Sequence, residues 1–85
     1  MDETDELYPL PIYPFRNKLE KFTWVLIEGK ILIVFTPSGE IKVIQPKEKR
    51  YEVYVNGKHV GTFTKFKQVL RYITVREKLR TKADP

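Results

Sequence analysis

Apolar residues recur along this chain with two different periods. Phe22–Glu28 (FTWVLIE) and Ile31–Thr36 (ILIVFT) are short runs rich in β-branched and aromatic residues, the composition of strands. Gly29-Lys30 between them fits a two-residue type II′ turn with glycine first. Pro37-Ser38-Gly39 makes the next connection, a type I turn followed by a glycine in the left-handed region. Glu40–Gln45 reads as a third strand stopped by Pro46, and Lys47–Arg50 is a charged link. Tyr51–Val55 and Lys58–Phe63 then flank Asn56-Gly57, the strongest short hairpin signal, because both central residues of a type I′ turn need positive φ. Beyond Thr64, an N-cap candidate, the period lengthens. Phe66, Val69, Leu70 and Ile73 fall at i, i+3, i+4 and i+7, the buried stripe of a helix from Lys65 to Arg80, widened by Tyr72 and Leu79. The expected fold is α+β: an antiparallel sheet of about five strands, a meander plus a hairpin, with one C-terminal helix.

The N-terminal fifteen residues form a separate arm, acidic and proline-rich, ahead of a single α+β domain over residues 16–85. Pro9, Pro11 and Pro14 argue for extended or polyproline-II chain and against a helix. Residues 1–6 are expected to be disordered. Leu7, Tyr8, Leu10, Ile12, Tyr13 and Phe15 are too apolar for a free linker, so the arm is expected to pack, on its own domain or on a partner. Pro11 and Pro14 also satisfy the P-x-x-P spacing with Arg16 nearby, a pattern common by chance.

Propagating strand register from the expected turns sets Trp24 opposite Phe35, Leu26 opposite Ile33, Phe35 opposite Ile41 and Ile33 opposite Val43, all on the face that receives the helix. The other face then carries Val25, Ile27, Leu32, Val34 and Ile44, with Lys42 among them. A solvated antiparallel face should be mostly polar, so this set is expected to be a partner or dimer interface unless the arm or the second hairpin folds over it. In that hairpin Val53 should face Val60 and Tyr51 should face Thr62 on the core side. Tyr54 pairs with His59 on the opposite side, and Phe63 shares their face.

Charge sharpens this picture. The net +5 hides an asymmetry: residues 1–15 carry four acidic groups and no basic one, whereas residues 16–85 hold all 16 basic residues against seven acidic ones. A basic body with an acidic leader concerns partners rather than fold. The absence of cysteine removes disulfides, thiolate nucleophiles and cysteine metal sites. No run reaches the ~18 apolar residues of a membrane span, and the start is the opposite of a secretory n-region, so a cytoplasmic protein without membrane contact is expected.

Catalysis lacks an inventory. Acid–base, nucleophilic or metal chemistry needs convergent polar groups, and His59 is the single histidine and Ser38 the single serine. No enzyme activity, cofactor or metal is therefore expected. Basic residues are the better lead. Lys67, Arg71 and Lys78, with Thr74 between them, fall within a helix sector of about 60° beside the apolar stripe. Only Glu77 opposes them, although solvated helices usually mix signs to gain i,i+4 pairs. On the hairpin, Tyr54, His59 and Phe63 lie on one strand face with Lys58 at the turn and Lys49-Arg50 at the entrance, an aromatic–basic interleaving suited to stacking on bases while the basic residues track phosphate.

Tyr51–Ile73, through Asn56-Gly57-Lys58 and Gly61-Thr62-Phe63 ahead of a helix, resembles the strand–turn–strand–helix end of integrase arm-type and plant ethylene-response-type DNA-binding domains. The order of several strands and a final helix is also similar to the PUR-repeat topology of single-strand binders. The resemblance implies a sheet laid on DNA and backed by a helix. This sheet lacks the dense arginine of arm-type readers. The expectation is a small non-catalytic module binding DNA or RNA through Tyr54, Lys58, His59, Lys67, Arg71 and Lys78. The alternative is a protein-interaction or homodimerisation module acting through the apolar sheet face and the arm.

Overall fold

The computed structural model describes the chain from residue 6 to residue 83, with side chains described as far as residue 77. One antiparallel sheet runs in simple sequence order: β1 (Thr23–Ile27), β2 (Ile31–Thr36), β3 (Gly39–Lys47), β4 (Arg50–Val55) and β5 (Lys58–Phe63). A short helix, α1 (Arg16–Leu19), precedes it and a long one, α2 (Phe66–Ala83), follows it. The α+β architecture is the one the periodicity predicts. Residues 1–5 of the acidic leader lie outside the described residues. No described helix is long and apolar enough to cross a membrane.

The turns decide which side chains face inward, and two of them differ from expectation. At the first, Glu28 (φ 51°) and Gly29 (φ 70°) both adopt positive φ, and the Lys30 N–H donates to the Ile27 carbonyl at 2.9 Å. The turn thus sits one residue earlier than Gly29-Lys30, and Ile27 pairs with Ile31 across three residues. At the second, Thr36 pairs directly with Gly39, so the loop is Pro37-Ser38 alone. The two one-residue shifts cancel for β3 but not for β2. Because the side-chain period of a strand is two, a one-residue shift moves every side chain of β2 to the other face. Trp24 therefore faces Val34, and Leu26 faces Leu32. Leu32 and Val34, expected on the outer face, are fully buried, whereas Ile33 and Phe35 point outward.

The inner face carries Leu32, Val34, Ile41, Val43, Tyr51, Val53 and Val55, all buried. Phe66, Val69, Leu70 and Ile73 of α2 close it, the stripe read from the sequence. Leu10, Ile12 and Leu19 complete the same core. The proline-rich arm thus docks on its own chain. It is pinned by backbone bonds from the Tyr8 N–H to the Gln45 carbonyl and from the Leu10 N–H to the Gly29 carbonyl, both 2.9 Å. Gln45, itself buried, donates from Nε2 to the Pro9 carbonyl at 2.6 Å and accepts from the Lys49 N–H at 2.8 Å. The prolines predict an extended arm without helix, and the structure differs at its end. Tyr13–Phe15 form a 3-10 turn that runs into α1, because Pro14 stands in a first turn, where its missing N–H is not needed. The Phe15 ring lies 5.5 Å from that of Phe66, tilted by 50°, and the Tyr51 ring meets Phe66 edge-on at 5.7 Å.

Three further details position the surface. Pro46 lies at a register shift between Ile44 and Lys47, where a missing donor is tolerated, so β3 runs past it. In β5 a bulge at Val60 leaves Tyr54 opposite His59 but sets Val53 opposite Gly61 and Tyr51 opposite Phe63. Phe63 is thereby turned to the inner side, against Tyr72 at 5.7 Å, and away from the face of Tyr54 and His59. At the start of α2, Gln68 supplies the cap: its Oε1 accepts from the Thr64 and Lys65 N–H groups, each at 3.3 Å, while the Thr64 hydroxyl contacts that same Oε1.

The assignment of β2 is testable by denaturant unfolding. Leu32→Ala should cost about 2–5 kcal/mol, the range for emptying a filled core site. Phe35→Ala, on the outer side, should cost under about 1 kcal/mol. The reverse order would mean that β2 is turned the other way.

Candidate nucleic-acid interface

The hairpin half of the expected surface forms as a pair but is tied down. The Tyr54 and His59 rings meet edge-on with centroids 5.2 Å apart, and the Lys42 ammonium lies 5.6 Å from the Tyr54 ring centre on the other side. Beneath them Glu52 is buried, only 8% exposed. An ionised carboxylate only accepts, so the groups around it are its donors. These are Thr62 Oγ1 at 2.5 Å, His59 Nε2 at 2.6 Å and Arg50 Nε at 2.9 Å. The Thr62 hydrogen bond is the main cause that holds the Glu52 carboxyl below its ordinary range, with His59 and Arg50 adding to it against the opposing effect of burial. His59 therefore sits on a buried negative charge, a poor seat for a phosphate. Lys58 is exposed at the turn.

The helix half lies on the other layer of the molecule. Lys67, Arg71 and Thr74 are exposed along the flank of α2 beside its buried stripe. Lys78 belongs to α2, but its side chain is outside the described residues. The sheet stands between these residues and Tyr54–His59, so the structure does not bring the two halves together. Arg71 alone of the expected set enters a concave site. With Phe63, Gln68, Tyr72, Val75, Arg76 and Ser38 it lines a groove of about 720 Å³ beside α2.

This groove has the size of a small-ligand site. Its floor is apolar: the Phe63–Tyr72 ring pair, tilted by 46°, and Val75, 43% exposed. Arg71 and Arg76 line it as well, and no carboxylate is among its described lining residues. Arg76 Nε is buried without a hydrogen-bond partner, the one such side-chain atom among the described residues. At the far end the Ser38 hydroxyl donates to Glu77 at 3.0 Å. Sequence reasoning sets Phe63 among the stacking aromatics of the Tyr54–His59 face, passes over Gln68, Val75 and Arg76 as site residues, and takes Tyr72 as core. The available signal is the second helical stripe Gln68, Arg71, Tyr72 and Val75 at i, i+3, i+4 and i+7, adjoining the buried one.

The expected interface set divides as well. Val25 and Ile27 are exposed, at 44% and 41%, and Ile44 is half-buried on the same outer face. Leu32 and Val34 belong to the core, and Ile33 and Phe35 take their places outside.

The Glu52 cluster makes a pH prediction. A depressed folded-state value contributes stability above the unfolded-state value and loses it as pH falls through the folded one. Glu52→Gln should therefore destabilise by about 1–3 kcal/mol near neutral pH. The gap to the parent should close as pH drops below the ordinary glutamate value of 4.5. Thermal melts of both proteins across pH 2–7 check this; a gap independent of pH would contradict it.

Comparison of the chain with protein-family models, with curated proteins and with solved structures finds no match.

Proposed function

We propose that this protein is a non-catalytic module that binds single-stranded nucleic acid along the groove of α2. The observation that carries the reading is the convergence of Arg71 and Arg76 with Phe63 and Tyr72 in one groove that has no carboxylate among its described lining residues. Single strands expose both phosphates and flat base faces. Arginine answers the first and, with aromatic rings, stacks on the second. Lys65 and Lys67, exposed near the start of α2, extend the positive surface beyond the groove, as a polymeric ligand requires. Duplex DNA suits this site less well, because its bases are already stacked and the groove offers no projecting element to enter a major groove.

Fluorescence anisotropy with labelled single-stranded DNA, single-stranded RNA and duplex DNA tests this. Single strands should bind at micromolar concentration near ~50 mM salt and lose at least about tenfold in affinity by ~200 mM. Arg71→Glu with Arg76→Glu should abolish binding, while Lys58→Ala on the other layer should change it by less than about threefold. Absence of binding at low salt, or binding lost only with Lys58, would refute the reading.

A further inference from the structure

The two edges of the sheet are built in opposite ways. β5 carries a bulge, begins with Lys58 and His59 and has α2 running from its end. Bulges and edge lysines are devices by which edge strands avoid pairing with other chains. β1 has none of them. Thr23–Ile27 contains no charge, proline or glycine, and its register with β2 is unbroken. Its N–H and C=O groups on the outer side meet no backbone hydrogen-bonding partner among the described residues. Both faces at this edge are apolar. Val25 and Ile27 are exposed outside, and Trp24 and Leu26 are half-buried inside. The exposed part of the outer face continues from it through Phe35, whereas its β4–β5 half is polar, with Glu52, His59 and Thr62.

We propose that β1 pairs antiparallel with β1 of a second copy about a two-fold axis at Val25, joining two sheets into one. The strand is complementary to itself in this register. Val25 meets Val25 of the second copy and Trp24 meets Leu26, so apolar groups oppose apolar groups on each face, while Thr23 meets Ile27 at the strand ends. The flanks are complementary too. Lys21, before the strand, and Glu28, after it, are both exposed and of opposite sign. The antiparallel arrangement brings each Lys21 to the end of the strand where the second copy has Glu28. A two-fold strand pair is isologous and closes at two copies, because it consumes the one undefended edge of each chain. This assignment is independent of the groove, which lies along α2, so either reading can fail without the other.

Sedimentation equilibrium of the full chain tests it. The parent should run at twice the 10.1 kDa chain mass and dissociate on dilution. Val25→Lys sets two lysines directly opposite each other and should weaken association by at least about a hundredfold. Val25 is exposed, so the variant should keep the parent circular dichroism spectrum. Val25→Glu should dissociate likewise, and an equimolar mixture of the two variants should re-form a dimer, since residue 25 then meets its opposite charge. A monomeric parent at every concentration, a dimer indifferent to Val25→Lys, or a mixture that stays monomeric would each overturn the proposal.

Discussion

Leu32 and Val34 meet Val43 and Ile41 across β3, and these in turn meet Val53 and Val55 across β4. All of these side chains are buried. The two cross-strand rows are the contact on which the second layer closes. Each such side chain contributes roughly 1.5–3 kcal/mol when taken out of water. An 85-residue chain has little else to draw on. Once β2 presents Leu32 and Val34, α2 has one surface on which to lay Phe66, Val69, Leu70 and Ile73. The arm and α1 fill the remainder with Leu10, Ile12 and Leu19. Among the described residues, α2 and most of the arm then lie on one side of the sheet, and only Glu6 and Leu7 reach the outer-face residues Ile31, Lys42 and Ile44.

That one-sidedness governs where function can lie. The outer face keeps its apolar half around Val25, Ile27 and Phe35 and its polar half around Glu52 and His59. The solvent side of α2 keeps Lys67 and Arg71. Tyr54–His59 and the basic helix side therefore lie on opposite sides of the sheet, and a single ligand does not reach both without passing round its edge. The groove beside α2 escapes this separation because the bulge in β5 turns Phe63 inward beneath Tyr72.

How much of this the sequence discloses depends on whether a local rule has one solution. Asn56-Gly57 does: both residues take positive φ, at 51° and 84°, and the Tyr54–His59 pairing follows. The α2 stripe does as well, since Phe66, Val69, Leu70 and Ile73 fit one helical face and no strand face. β2 does not, because Ile31–Phe35 is apolar at every position and either side satisfies the pattern. The choice passes to the turns, where Glu28 takes a positive φ that its residue type does not announce. Gly61 inside β5 is the kind of signal that marks a bulge, and reading it so would have turned Phe63 inward. The groove joins Ser38 and Phe63 to a helix side, and no spacing along the chain reports that meeting. The conversion of Pro14 from a helix breaker to a helix opener depends likewise on where Phe15 docks.

Single-cysteine labelling tests the orientation of β2 most directly, because the chain has no cysteine of its own to interfere. Phe35→Cys, on the outer face, should react with a maleimide in the native protein at a rate close to that of a free thiol. Val34→Cys, in the core, should react only at the rate of global unfolding. Rapid native labelling at position 34 with protection at position 35 would place the helix and arm on the wrong side of the sheet and contradict the account from its first contact onward.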